Sequence, residues 1–156
     1  QFGVLNRVTS MFRRRQFNID NLTVSETESP DYSRITVQFA GERVTKQQLV
    51  DQLYKLPDVC SIRELDNENS VSFELLLIKL KNDPASRGDI MAAADAFEAK
   101  TVDYTRESIV LRVTADSRRI DDFIDLMRDY EILEICRTGV VSLERGADTI
   151  RKVTNL

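Results

Sequence analysis

Phe73-Glu74-Leu75-Leu76-Leu77-Ile78-Lys79-Leu80 is an almost unbroken apolar run of strand length, and Asp83-Pro84 follows it as a helix N-cap with proline at the first helical position. Ile90, Met91, Ala94 and Phe97 then recur at helical spacing. Residues 101–104 and 107–114 read as two strands about a short turn, the second alternating through Ile109, Leu111 and Val113. Asp116 caps a second helix that carries Ile120, Phe123, Ile124 and Met127. Residues 132–143 supply the last strand material, interrupted near Thr138-Gly139. The order is strand, helix, strand, strand, helix, strand, the βαββαβ grammar of a ferredoxin-like sandwich.

Working back from Phe73, the chain turns polar through Asp66, Asn67, Glu68, Asn69 and Ser70, the one plausible linker in the sequence. Before it the same grammar is repeated with one element missing. Gly3 to Arg15 places Val4, Leu5, Val8, Met11 and Phe12 at helical spacing, with Arg7, Thr9, Arg13 and Arg14 on the other side. Residues 18–25 form an extended run through Ile19, Leu22 and Val24, and residues 33–39 alternate through Ile35, Val37 and Phe39. Thr45 with Gln48 reads as a capping box opening a helix with the apolar stripe Leu49, Val50, Leu53 and Leu56, which Pro57 ends. Val59 to Leu65 closes the unit as a strand. The expectation is therefore an α+β chain of two consecutive ferredoxin-like sandwiches, 1–66 and 72–156. The first lacks its opening strand, for which roughly 5 to 10 residues before Gln1 are expected.

Composition narrows the chemistry. The 156 residues are 42% hydrophobic and 31% charged, enough apolar material for packed cores. The chain has no histidine and two well-separated cysteines, which removes histidine-dependent triads, Cys-His nucleophiles and zinc sites of the usual ligand spacing. Cys60 and Cys136 lie in strand-like apolar runs and read as small buried hydrophobes. A net charge of -4 lowers the case for a nucleic-acid partner. No apolar run reaches the roughly 20 residues of a membrane span, and a cytoplasmic protein is expected. Asp121, Asp122 and Asp125 lie opposite Phe123, Ile124 and Met127 and read as a polar helix face, not a metal site. Arg13-Arg14-Arg15 reads as a solvated helix end, with contact to a partner protein the lesser alternative.

The local motifs are more telling than the fold. Phe2-Gly3-Val4-Leu5-Asn6-Arg7-Val8, with Phe12 and Arg15 and then Phe17-Asn18-Ile19-Asp20-Asn21-Leu22-Thr23-Val24, resembles the signature of acetohydroxyacid synthase (acetolactate synthase) small subunits. The resemblance continues through Ser33-Arg34-Ile35-Thr36, Gln52-Leu53-Tyr54-Lys55-Leu56 with Val59 after it, Glu74-Leu75 with Leu77-Ile78-Lys79, and Arg137-Thr138-Gly139-Val140-Val141, and so covers essentially the whole chain. Two departures are Asn21, where serine is more usual, and Gln16, where the family more often has glycine.

The resemblance implies a regulatory subunit with no catalytic residues and no metal or cofactor of its own. Thiamine diphosphate, magnesium and FAD would belong to the large catalytic subunit. It implies an ACT domain that pairs with a second copy and binds valine at the dimer interface through Gly3, Val4, Leu5, Asn18 and Ile19, giving feedback control of branched-chain amino-acid synthesis. The residue chemistry is suitable. Free N–H groups at a helix N-terminus hold a carboxylate, a glycine there lets a ligand approach the backbone, and an asparagine offers both a donor and an acceptor. Two other classes share the sandwich. An RNA-recognition module would need a base-stacking aromatic strand, and Ile35, Val37 and Phe39 offer one ring. A small enzyme would show turnover by this chain alone.

Overall fold

The computed structural model describes residues 2–151. They form two compact units, one joining the residues up to Val71 with those from Ser142 onward, the other spanning Ser72–Val141.

The first unit opens with α1 (Phe2–Arg14), followed by β1 (Ile19–Glu26), β2 (Ser33–Phe39) and α2 (Arg43–Tyr54). Val8, Met11 and Phe12 of α1 and Leu49 of α2 are buried against Ile19, Leu22, Ile35 and Val37. That is the arrangement set by a helical stripe packed on one face of a two-stranded antiparallel ladder. β1 and β2 pair through Leu22 with Val37 and Val24 with Ile35. α1 stops in a Schellman turn: Phe17 N donates to Phe12 O at 3.1 Å and Gln16 N to Arg13 O at 3.2 Å, with Gln16 at φ 56°. A left-handed residue is needed there, which is the physical reason for the glycine that the resemblance leads one to expect at this position.

Three readings of the first half are corrected. Thr45 is not a cap: α2 begins at Arg43 with Glu42 as its N-cap, and Thr45 lies inside the first turn. Val59 to Leu65 forms no strand. The last strand of a βαββαβ unit pairs with the first, and among the described residues no strand precedes α1. The segment is held by other contacts: Ser61 Oγ donates to Ile150 O at 2.9 Å, and Arg63 Nε meets Glu144 Oε1 at 2.9 Å. Nor is Cys60 buried; its side chain is exposed, as is that of Cys136.

The second unit is built on β3 (Ser70–Lys81), α3 (Arg87–Ala96), β4 (Lys100–Tyr104), β5 (Ser108–Ala115), α4 (Ser117–Met127) and β6 (Ile132–Arg137), while β7 (Val141–Glu144) belongs, from Ser142 onward, to the first. The sheet order β4-β5-β3-β6, antiparallel throughout, is the ferredoxin-like order with β3 in the middle. Alternation along β3 sends Leu76, Ile78 and Leu80 to the helices, where they bury with Ile109, Leu111, Val113, Ile90, Ile120, Phe123 and Met127. The other face stays open, with Phe73 48% and Leu77 38% exposed. Cys136 lies opposite Leu77 on that face, so its strand-like surroundings do not bury it.

Asp116 caps α4 as expected, its side chain accepting from Arg119 N at 2.9 Å. Asp83 does not cap α3. Its Oδ1 accepts from Ala85 N in a turn that precedes the helix, whose N-cap is Ser86. The break at Thr138-Gly139 is present, with Gly139 at φ 83°.

The contact division and the sequence division differ at the C-terminal end. Residues 142–151, assigned from sequence to 72–156, pack with the first unit through Glu144 and Ile150. Arg151 adds an ion pair to Glu28 at 2.7 Å and a contact over the Tyr32 ring.

Candidate functional site

Gly3, Val4 and Leu5 sit together in the first turn of α1, where backbone N–H groups have no partner within the helix. No acidic side chain lies in that turn, so α1 itself brings no negative charge to the positive end of its dipole. Gly3 is exposed, and a Cβ added to it would meet only Arg7 Nη2, at 3.9 Å. Val4 is half-buried against the core beneath. Asn18 is exposed just before β1, and Ile19 is half-buried as the first residue of that strand, paired with Phe39.

The structure therefore gathers the five residues into two groups and does not bring the groups together. α1 has thirteen residues, and at 1.5 Å per residue its ends lie about 20 Å apart. The glycine group is at one end. The Asn18 group follows the Schellman turn at the other. A single amino acid cannot bridge that distance within one chain.

A further cluster escaped the sequence reading. Glu74, on the helix face of β3, is 2% exposed and accepts from Arg137 Nε at 2.5 Å and Nη2 at 3.1 Å, and from Ser117 Oγ at 2.9 Å. Arg137 Nη1 also donates to Asp121 Oδ1 at 2.8 Å. The hydrogen bonds that Arg137 donates to Glu74 raise its pKa, burial pulls against them, and Asp121 raises it further. Thr138 continues the motif: its N donates to Leu75 O at 3.0 Å and its Oγ1 accepts from Leu75 N at 3.1 Å. The Arg137-Thr138-Gly139 signature is thus a strut between β3, β6 and α4. A period-two reading of Phe73–Leu80 would have flagged Glu74, since it shares its face with Leu76, Ile78 and Leu80.

No set of three or more His, Cys, Asp or Glu side chains suited to hold a metal occurs among the described residues. No helix among them is long and apolar enough to cross a membrane.

Fold and motifs together define a two-unit ferredoxin-like protein whose first unit is of ACT type. Residues 1–61 match the family profile of the AHAS small subunit-like ACT domain, and residues 73–146 that of the small subunit of acetolactate synthase. A probable acetolactate synthase small subunit of Archaeoglobus fulgidus is 44% identical over 144 residues, covering 92% of this chain and 90% of that protein. The acetolactate synthase small subunit of Bacillus subtilis is 42% identical over 146 residues, covering 92% and 84%. The crystal structure of the small subunit from Thermotoga maritima superposes with a TM-score of 0.86 at 33% identity, over 95% of this chain and 92% of that one. The chain belongs to the acetolactate synthase small-subunit family.

Proposed function

We propose that this chain is the regulatory subunit of a cytoplasmic acetolactate synthase, activating a catalytic subunit that carries thiamine diphosphate, magnesium and FAD, and making it sensitive to valine. The carrying observation is the separation of the two candidate groups by the length of α1. A valine whose carboxylate rests on the N–H groups of Gly3, Val4 and Leu5 takes its remaining polar contacts from Asn18 and Ile19 of a second copy. The ligand therefore sits at a homodimer interface and stabilises one dimer arrangement over another. That differential affinity is the quantity that can be passed to a catalytic partner. In this reading the chain performs no chemistry of its own.

The test is to mix the purified chain with its cognate catalytic subunit and follow acetolactate formation with and without valine. Activation by the chain, reversed by valine, is the expected result. A chain that neither raises the rate nor confers valine sensitivity would sink the proposal. A chain that activates but is indifferent to valine would remove the effector assignment alone.

A further inference from the structure

The outer face of α1 carries a shallow depression of roughly 480 Å³ lined by Asn6, Arg7, Ser10, Arg13 and Arg14. In a protein of net charge -4, residues 1–19 contain four arginines and no acidic residue. Arg7 is paired with Asp58. Among the described residues no ion pair engages Arg13, Arg14 or Arg15. The helix dipole accounts for cations in the last turn, but not for a groove that runs two turns further back and adds the amide of Asn6 and the hydroxyl of Ser10.

We propose that this groove docks an acidic polypeptide segment of the catalytic subunit. The inference rests on the reading of the chain as a regulatory subunit and names the surface that reading left open. Charge complementarity is the argument. On a molecule of net charge -4 this local cationic surface favours a short run of carboxylates, which fits within a Debye length of the arginines, over an extended polyanion such as RNA, which must also lie along the acidic remainder of the surface. Position supports it as well. The groove occupies the rod that joins the two candidate ligand groups, so any displacement of α1 on effector binding moves the docking surface with it.

The experiment measures association of the full chain with the cognate catalytic subunit, without valine, as a function of salt. The wild type is compared with R13E/R14E and R13K/R14K, circular dichroism verifying the fold of each. Both positions are exposed, so folding should survive. Charge reversal is expected to weaken association about tenfold or more, since like charges meet at the interface. The lysine pair should stay within about threefold, and wild-type affinity should fall as salt shortens the Debye length. Equal affinity of R13E/R14E and wild type, or wild-type affinity independent of salt, would overturn the proposal. So would retention of single-stranded RNA at physiological salt by the wild type and not by R13E/R14E. Valine sensitivity is read separately in the activity assay, so loss of the effector assignment leaves this result standing, whereas a wild type that fails to bind the catalytic subunit removes both.

Discussion

Replacing Arg137 with methionine should cost the protein more than replacing Glu74 with leucine, although the two side chains form one ion pair. The asymmetry follows from burial: the Glu74 side chain is 1% exposed and that of Arg137 33%. Without Arg137 the carboxylate keeps only the Ser117 hydroxyl. Breaking a fully buried pair from one side costs about 3–5 kcal/mol, and the partial access of water to Arg137 places this case near ~3 kcal/mol. Without Glu74 the guanidinium keeps Asp121 and solvent, so the loss is about 1–2 kcal/mol. The double variant R137M/E74L removes both charges and should be more stable than R137M alone. For a unit the size of Ser72–Val141, R137M should lower the midpoint of thermal unfolding by roughly 12–24 °C. Urea and thermal unfolding followed by circular dichroism measure all three. An R137M loss below about 1 kcal/mol, or a double variant less stable than R137M, refutes the reasoning. The pH dependence has a definite sign. A cation whose folded pKa is raised keeps its contribution below its unfolded pKa and loses it only above the folded one. No alkaline loss belonging to this pair is expected between about pH 7 and 10.

Gln16 and Glu98 both sit at φ 56° at the ends of helices closed by Schellman bonds, so Q16G and E98G should each raise stability by about 0.5–1 kcal/mol in urea unfolding, and a decrease would contradict the cap assignment. Gly3→Ala meets no close neighbour within the chain, so it should leave the thermal midpoint unchanged or slightly higher while weakening valine binding in calorimetry at least about tenfold. Valine affinity equal to wild type would remove Gly3 from the ligand site. Asp116→Ala should cost ~1 kcal/mol through loss of the α4 cap, whereas Thr45→Ala should cost less than about 0.5 kcal/mol because Thr45 caps nothing.

What the sequence made legible was periodicity. The apolar stripe of α4, the alternation of β5 and the inward face of β3 each follow from one segment's own residues, and each is present. Val59–Leu65 has the residues of a strand but lacks a ladder, because strand formation needs a partner and the partner is not local. Thr45 and Asp83 show the same limit on a smaller scale. A capping residue has several backbone N–H groups within reach, and the surrounding fold decides whether it caps a helix or heads a turn. An apolar neighbourhood in sequence does not bury a cysteine: Cys136 sits on the open face of its sheet, and Cys60 lies in a segment that joins no sheet at all. At the candidate site, Gly3–Leu5 and Asn18–Ile19 were legible through family resemblance. Their separation came only with the length of α1 and the turn that ends it.

Residues 142–151 pack on the first unit, while Ser72–Val141 is one uninterrupted stretch. Order of synthesis and order of completion are therefore inverted. A chain emerging from the ribosome has every residue of the second unit once Val141 is out, but its first unit still waits for Glu144, Ile150 and Arg151. The unit begun first is completed second, and a nascent chain acquires its Arg63–Glu144 and Ser61–Ile150 contacts only after the whole of Ser72–Val141 has been made.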